Sequence, residues 1–248
     1  MGLDMGGVGL IVSPATKNLM SSIIANPRIL LLSLLLPFFV SCVSTKEIPL
    51  SNPAIVSGKS AVRTDREVPG FVAMTAGKVA GGAMFGAIGG AVSASAMVKS
   101  GNAIISENGV EDPANWISQE LASEMKRKYG ASFKGSRRIT EEEPEAIAKA
   151  CAGADYALDV RTINWSLAYY PVNWGTYRVI YSAKLRLIDC RSGKVVAEGF
   201  YARVPEKSDD SPDWDELVEN NKAARLKKEL KIGAQEALYH FKTNILKL

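Results

Sequence analysis

Histidine is almost missing: the 248-residue chain has one, His240. Hydrolytic and metal-dependent enzymes lean on histidine as base, proton shuttle or ligand. His240 has no serine or cysteine motif beside it and reads as a helix-face residue between Tyr239 and Phe241. Cysteine is scarce too, with three. No His, Cys, Asp or Glu spacing suits a metal, because Glu141, Glu142 and Glu143 form one run at a helix start, where negative charge meets the positive end of the helix dipole. A dinucleotide fingerprint is missing, since no glycine pattern follows a strand and opens a helix. Ser57-Gly58-Lys59-Ser60 imitates the end of a phosphate loop, but Pro53 stands where that loop needs its first glycine. Surplus charge is missing as well: 30 basic against 26 acidic residues give +4, spread along the chain without the basic footprint of a nucleic-acid binder. These gaps exclude nucleic acid as a partner and leave no catalytic set, metal or cofactor to defend, so a non-enzymatic protein is expected.

What is present begins with Arg28 to Cys42. One basic residue precedes about a dozen mostly apolar ones, then Ser41 and Cys42, the layout of a short signal-peptide core with a cleavage site. The run is too short to cross a bilayer as a helix, which takes ~20 residues. A cysteine directly after a small residue resembles the lipobox of bacterial lipoproteins, with Phe39 where that family usually has leucine. The resemblance implies cleavage of residues 1–41, acylation of the Cys42 sulfur by fatty acids such as palmitate, and anchoring in membrane lipid. Val43 is not the aspartate that signals inner-membrane retention in enteric relatives, so an outer-membrane lipoprotein facing the periplasm is favoured, the inner membrane remaining open. Met20 gives a tidier start than Met1, and residues 1–19 read as an over-extended start. Loss of residues 1–41 removes Lys17, Arg28 and Asp4 and leaves a surplus of +3. In an oxidising envelope Cys151 and Cys190 are either a disulfide or two separately buried thiols.

Residues 42–70 are rich in Ser, Pro and Lys without a sustained period and read as a lipidated tether. Residues 71–100 hold twenty consecutive uncharged positions, Val79 to Val98, about 30 Å as a helix. Gly82, Gly86 and Gly90 fall four apart on one helical face, the small-xxx-small spacing that lets backbones approach. This resembles the glycine-zipper segments of bacterial envelope lipoproteins and implies self-association or membrane insertion; a packed soluble spacer is the competing reading.

Residues 101–248 read as a globular α+β domain. Asp112-Pro113 opens a helix and Tyr129-Gly130 ends it. Ala131 to Arg138 makes a short edge strand, and a second helix covers about Glu142 to Ala152. Three strands follow, at Tyr156–Thr162, Tyr177–Asp189 and Val195–Arg203, with Asp159, Arg161, Arg178, Lys184 and Arg186 on a polar outer face. The expectation is a three- to four-stranded, mainly antiparallel sheet packed by helices. The last of these is a long C-terminal helix carrying Leu217, Leu230, Ala234, Leu238, Phe241 and Ile245. Its element order resembles the small domains of curli-secretion and Tol-type envelope lipoproteins. Trp165, Tyr169, Tyr170 and Trp174 crowd the connection between the first two long strands. They are either an aromatic surface for a partner protein or caps on the core. The function expected is a membrane-anchored binding or scaffold module with an envelope protein or a second copy as partner. The alternative is an oligomeric pore or secretion-channel subunit using the glycine-rich segment.

Overall fold

The structure, a computed structural model, describes residues 47–77 and 86–248. Cys42, the signal segment and Gly82 lie outside them, and Gly86 and Gly90 enter only as helix backbone. No helix among the described residues is long and apolar enough to cross a membrane.

The spine is one long hairpin, β4 (Tyr156–Tyr170) and β5 (Asn173–Asp189), turning at Pro171 and Val172. Both strands are dense in Tyr, Val, Ile, Leu and Thr, whose branched or flat side chains suit a pleated surface. β6 (Val195–Arg203) returns antiparallel to β5 after a turn closed by Gly193, which adopts φ 71°.

The β5–β6 hairpin and the edge strand β3 (Ser132–Arg138) match the sequence reading, whereas β4, read as ending at Thr162, runs on to Tyr170, and β5 begins at Asn173 rather than Tyr177. The sheet as a whole differs too, because it has six strands and is mixed. Its order is β3-β1-β4-β5-β6, with β1 at Ser60–Asp65 and β2 (Val72–Met74) beside the far part of β4. β1 runs parallel to both β3 and β4, and β2 runs parallel to β4. Part of the span read as tether is therefore folded: Leu50, Val56, Ala61 and Val62 are buried, and Leu50 N donates to Ile245 O at 2.7 Å. A parallel strand finds its partner across a long crossover rather than a local turn, so its sequence carries no hairpin signal.

Four α-helices are described. α1 (Gly86–Asn108) lies against β2, so closely at Gly101 that an added Cβ would stand 1.9 Å from Phe71 O; the Asn102 side chain also accepts from Phe71 N at 2.9 Å. α2 (Pro113–Tyr129) begins and ends as expected, capped by Asp112 and stopped by Gly130 at φ 66°. α3 (Pro144–Ala150) precedes β4, and α4 (Ala224–His240) follows β6. α2 and α4 cover one face, over Leu158, Val160, Leu185 and Leu187. α3 covers the other face near the β5–β6 turn, over Val62, Ala157 and Ile188.

Two features of the expected helical and polar layers are corrected. The C-terminal helix is not continuous from Leu217. A one-turn helix at Asp215–Glu219 gives way to Asn221, Lys222 and Ala223, all left-handed with φ of 50–53°, before α4 begins. The face expected to carry Asp159 and Arg186 outward is roofed there, and Asp159 is 1% exposed. Arg66 and Arg186 both bind its carboxylate, and their remaining donors reach the carbonyls of Glu141 and Glu142. Cys151 is buried and Cys190 half-buried, both as thiols. Burial raises the Cys151 thiol pKa and pushes Cys190 up to about 11, with neighbouring Cys151 adding to the latter. Both therefore keep their protons at neutral pH.

Candidate functional site

The outer part of the β4–β5 hairpin is less enclosed than the inner part. β6 stops at Arg203 opposite Tyr181, so among the described residues the β5 segment Asn173–Ile180 has no strand beyond it. The connection after β6 takes that place only in part. Tyr177 N donates to Pro212 O at 2.8 Å, and Thr176 bridges to Asp213. The Tyr170 hydroxyl donates to Glu206 O at 3.0 Å, fixing the other end of the connection.

The four aromatic residues singled out from sequence separate into different roles. Trp165 is 1% exposed and belongs to the core. Its Nε1 donates to Pro69 O at 2.7 Å and its ring stands edge-on to Phe71. Tyr170 is buried against the 205–206 carbonyls. Tyr169 is half-buried and pairs across the hairpin with Tyr177, whose ring meets Trp214 at 5.5 Å. Trp174 alone is displayed, 64% exposed beside Val172 at 85%. Its indole is held, with Nε1 donating to Pro171 O at 3.0 Å and the ring centroid 6.4 Å from that of Tyr169. The crowding seen in the sequence was thus a mixture of core caps and one exposed anchor. Strand alternation separates them, because β4 and β5 continue to the turn instead of yielding to a loop.

Beside the tip, a cavity of about 200 Å³ lies between outer β5, residues 205–212 and α4. Three arginines line it. Arg203 donates to Glu229 at 3.0 Å and faces Glu236 at 3.4 Å; Arg225 binds Glu229 and Glu216, each at 2.9 Å. Arg178 stacks its guanidinium 5.3 Å from the Tyr170 ring centroid and makes no ion pair among the described residues. The sequence reading placed Arg178 on a polar face. The alternation of β5 could have flagged Arg178, but nothing local announces that the 205–212 connection folds over it.

A second, wider concavity of about 430 Å³ opens between the α1–α2 connection and α4, with Val110, Trp116, Leu230, Lys227 and Lys231 on its walls. At its edge the cap residue Asp112 has a raised carboxyl pKa. Burial raises it more than the hydrogen bonds from Thr162 Oγ1 and Ala114 N lower it. His240 sits elsewhere, its Nε2 2.7 Å from Glu47 Oε1 and its Nδ1 3.1 Å from Asn244 Nδ2.

No family model matches the sequence, and no curated protein does. Among solved structures, the chain is similar to a neuraminyllactose-binding hemagglutinin homolog from Helicobacter pylori. The TM-score is 0.39 at 11% identity, over 81% of this chain and 87% of that one. It is also similar to lipoprotein GNA1162 from Neisseria meningitidis, with a TM-score of 0.28 at 15% identity, over 75% and 99% of the two chains. Likenesses this distant transfer no function.

Proposed function

We propose that the chain is an envelope lipoprotein that works as a non-enzymatic binding or scaffold module, held to membrane lipid by acylated Cys42 and touching its partner through the β4–β5 tip. The observation that carries this reading is Trp174. It is a tryptophan at a hairpin apex, largely exposed, yet already fixed by Pro171 O and Tyr169. Tryptophan is enriched among the residues that dominate interface energies, and a side chain ordered beforehand loses little entropy on binding.

The geometry suits an anchored reader. Glu47 follows five residues after Cys42, a reach of at most ~18 Å. Ile48 pairs with Glu198, which pairs with Arg186 on β5. From Arg186 to the turn is roughly 40 Å of strand at ~3.4 Å per residue, so the tip stands far along the sheet from the anchored end. Two or more acyl chains are needed for stable attachment.

The test uses intact cells. Labelled palmitate should enter the wild-type chain and not Cys42→Ser, and the variant should leave the membrane fraction. A photoreactive residue at position 172, beside the intact indole and where Val172 is 85% exposed, should cross-link a discrete envelope protein, whereas one at exposed Lys134 on β3 should not. Equal membrane retention without label uptake, or equal cross-linking from both positions, would overturn the reading.

A further inference from the structure

Two buried nitrogens in the arginine cavity lack any acceptor: Arg178 Nε and Arg203 Nη1. Arg178 Nη1 reaches Pro205 O at 3.5 Å, while buried Nε, which shares one edge of the guanidinium with Nη2, has no acceptor among the described residues. Arg203 commits Nη2 to Glu229 and Nε to Glu236, and its third nitrogen is left over. A guanidinium cannot shed its proton to escape this situation, and a buried donor without an acceptor is among the more costly polar defects a fold carries. Most buried polar groups in native folds find a partner, and each exception calls for an explanation.

The geometry points to a carboxylate group as the missing component; we infer that the cavity between outer β5, residues 205–212 and α4 is a carboxylate-binding pocket. The Nε–Nη2 edge of Arg178 has the fork spacing that receives both oxygens of a carboxylate. Arg203 and Arg225 are already engaged by Glu229, Glu216 and Glu236, whereas Arg178 makes no ion pair among the described residues. Glu206 and Asp210 are exposed at the rim, so a singly charged group is accommodated better than a doubly charged phosphate. The roof is fixed by Tyr170 at Glu206 O and by Tyr177 at Pro212 O, so the pocket is formed before its guest arrives. The inference stands apart from the role given to Trp174, since neither guanidinium touches the indole.

A carboxylate can come from a small free acid or from an acidic side chain of a partner, and two probes separate these sources. The full chain in mild detergent is titrated with N-acetylglycine, and separately with a short blocked peptide carrying a single glutamate. Their neutral counterparts, N-acetylglycinamide and the glutamine peptide, serve as controls. The readout is the Nε–H resonances of arginine. Saturable movement of the Arg178 signal with either acid, and not with its amide, supports the pocket; the acid that binds names the source. Arg178→Lys keeps the charge but loses the fork and should weaken binding about tenfold; Lys134→Ala, at an exposed position on β3, should leave it unchanged. Circular dichroism confirms that both variants are folded. The inference is overturned if neither acid saturates, if the amides bind equally, or if folded Arg178→Gln binds as well as wild type.

Discussion

The two ends of the β4–β5 hairpin use the same residue type to opposite effect. At the inner end, Asp159 takes Arg66 Nε at 2.6 Å, Arg186 Nη2 at 2.7 Å and the Thr64 hydroxyl at 2.7 Å. The spare arginine donors end on the Glu141 and Glu142 carbonyls. At the outer end, Arg178 and Arg203 keep nitrogens with nothing to bind. A closed arginine cluster pins chain segments together, here the approach to α3. An open one is arranged for something that comes from outside.

The largest effect that would break this contrast lies at Asp159. Removing one member of a buried ion cluster leaves its partners charged and unpaired, a loss of about 3–5 kcal/mol, so Asp159→Asn should lower the urea midpoint sharply. Burial alone would raise the Asp159 carboxyl pKa, but hydrogen bonds and charge from Arg66, with Arg186 and Thr64, more than offset it and hold it below its usual range. Its folded value is therefore below the unfolded one. The stability it contributes is present above the ordinary carboxylate pKa of about 3.9 and is lost as pH falls through the lower native value. Urea titrations at neutral and acid pH should show that limb in wild type and not in the variant. A loss under 1 kcal/mol, well below the range for buried ion clusters, would place Asp159 outside the fold's essential contacts.

This cluster also marks where the sequence stopped being legible. Helix α2 could be read to its boundaries because its signals, Asp112, Pro113 and Gly130, are local. The β5–β6 hairpin could be read, and β4 in part, because alternation is local too. Asp159 and Arg186 look like solvent-facing positions in the same alternation. Only the return of Arg66 and of residues 139–147 over that face buries them, and that return depends on β1 pairing with strands some 70 and 95 residues further along the chain. Likewise Trp165 and Trp174 are indistinguishable as residue types, and their separation into core and surface follows from where the turn falls.

The outer end has its own tight point, where α1 crosses the start of β2. Gly101→Ala would drive a methyl into Phe71 O, since the ideal Cβ lies 1.9 Å from it. Overpacking of this kind costs about 1–3 kcal/mol, below the Asp159 effect but above any surface change. Thermal unfolding should show the loss, and no loss at all would mean that α1 does not bear on β2 as described.

The turns differ as well. Near the inner end, Gly153 and Gly193 take the positive-φ positions, at 98° and 71°, whereas the connection leading to α4 uses Asn221, Lys222 and Ala223. Lys222 is exposed, so replacing it by glycine relieves backbone strain without emptying the core. Lys222→Gly should stabilise the chain by about 0.5–1 kcal/mol, the left-handed penalty partly offset by the added freedom of the unfolded glycine. A destabilised variant would show that the lysine side chain matters more than its backbone conformation.

The smallest effect on stability is expected at the residue given the largest role in binding. Trp174 buries little and belongs to neither core cluster, its ring leaning on Tyr169, which is half-buried at the edge of the main one. Trp174→Ala should therefore change the unfolding midpoint by no more than about 0.5 kcal/mol, as for other surface sites, while abolishing capture of the partner by cross-linkers placed at Val172. If stability falls by as much as at Gly101, the indole is part of the fold, and the difference between a closed inner end and a receptive outer one disappears. If stability holds and cross-linking is lost, the ordering of that ring by Pro171 and Tyr169 is preparation for contact rather than a by-product of packing.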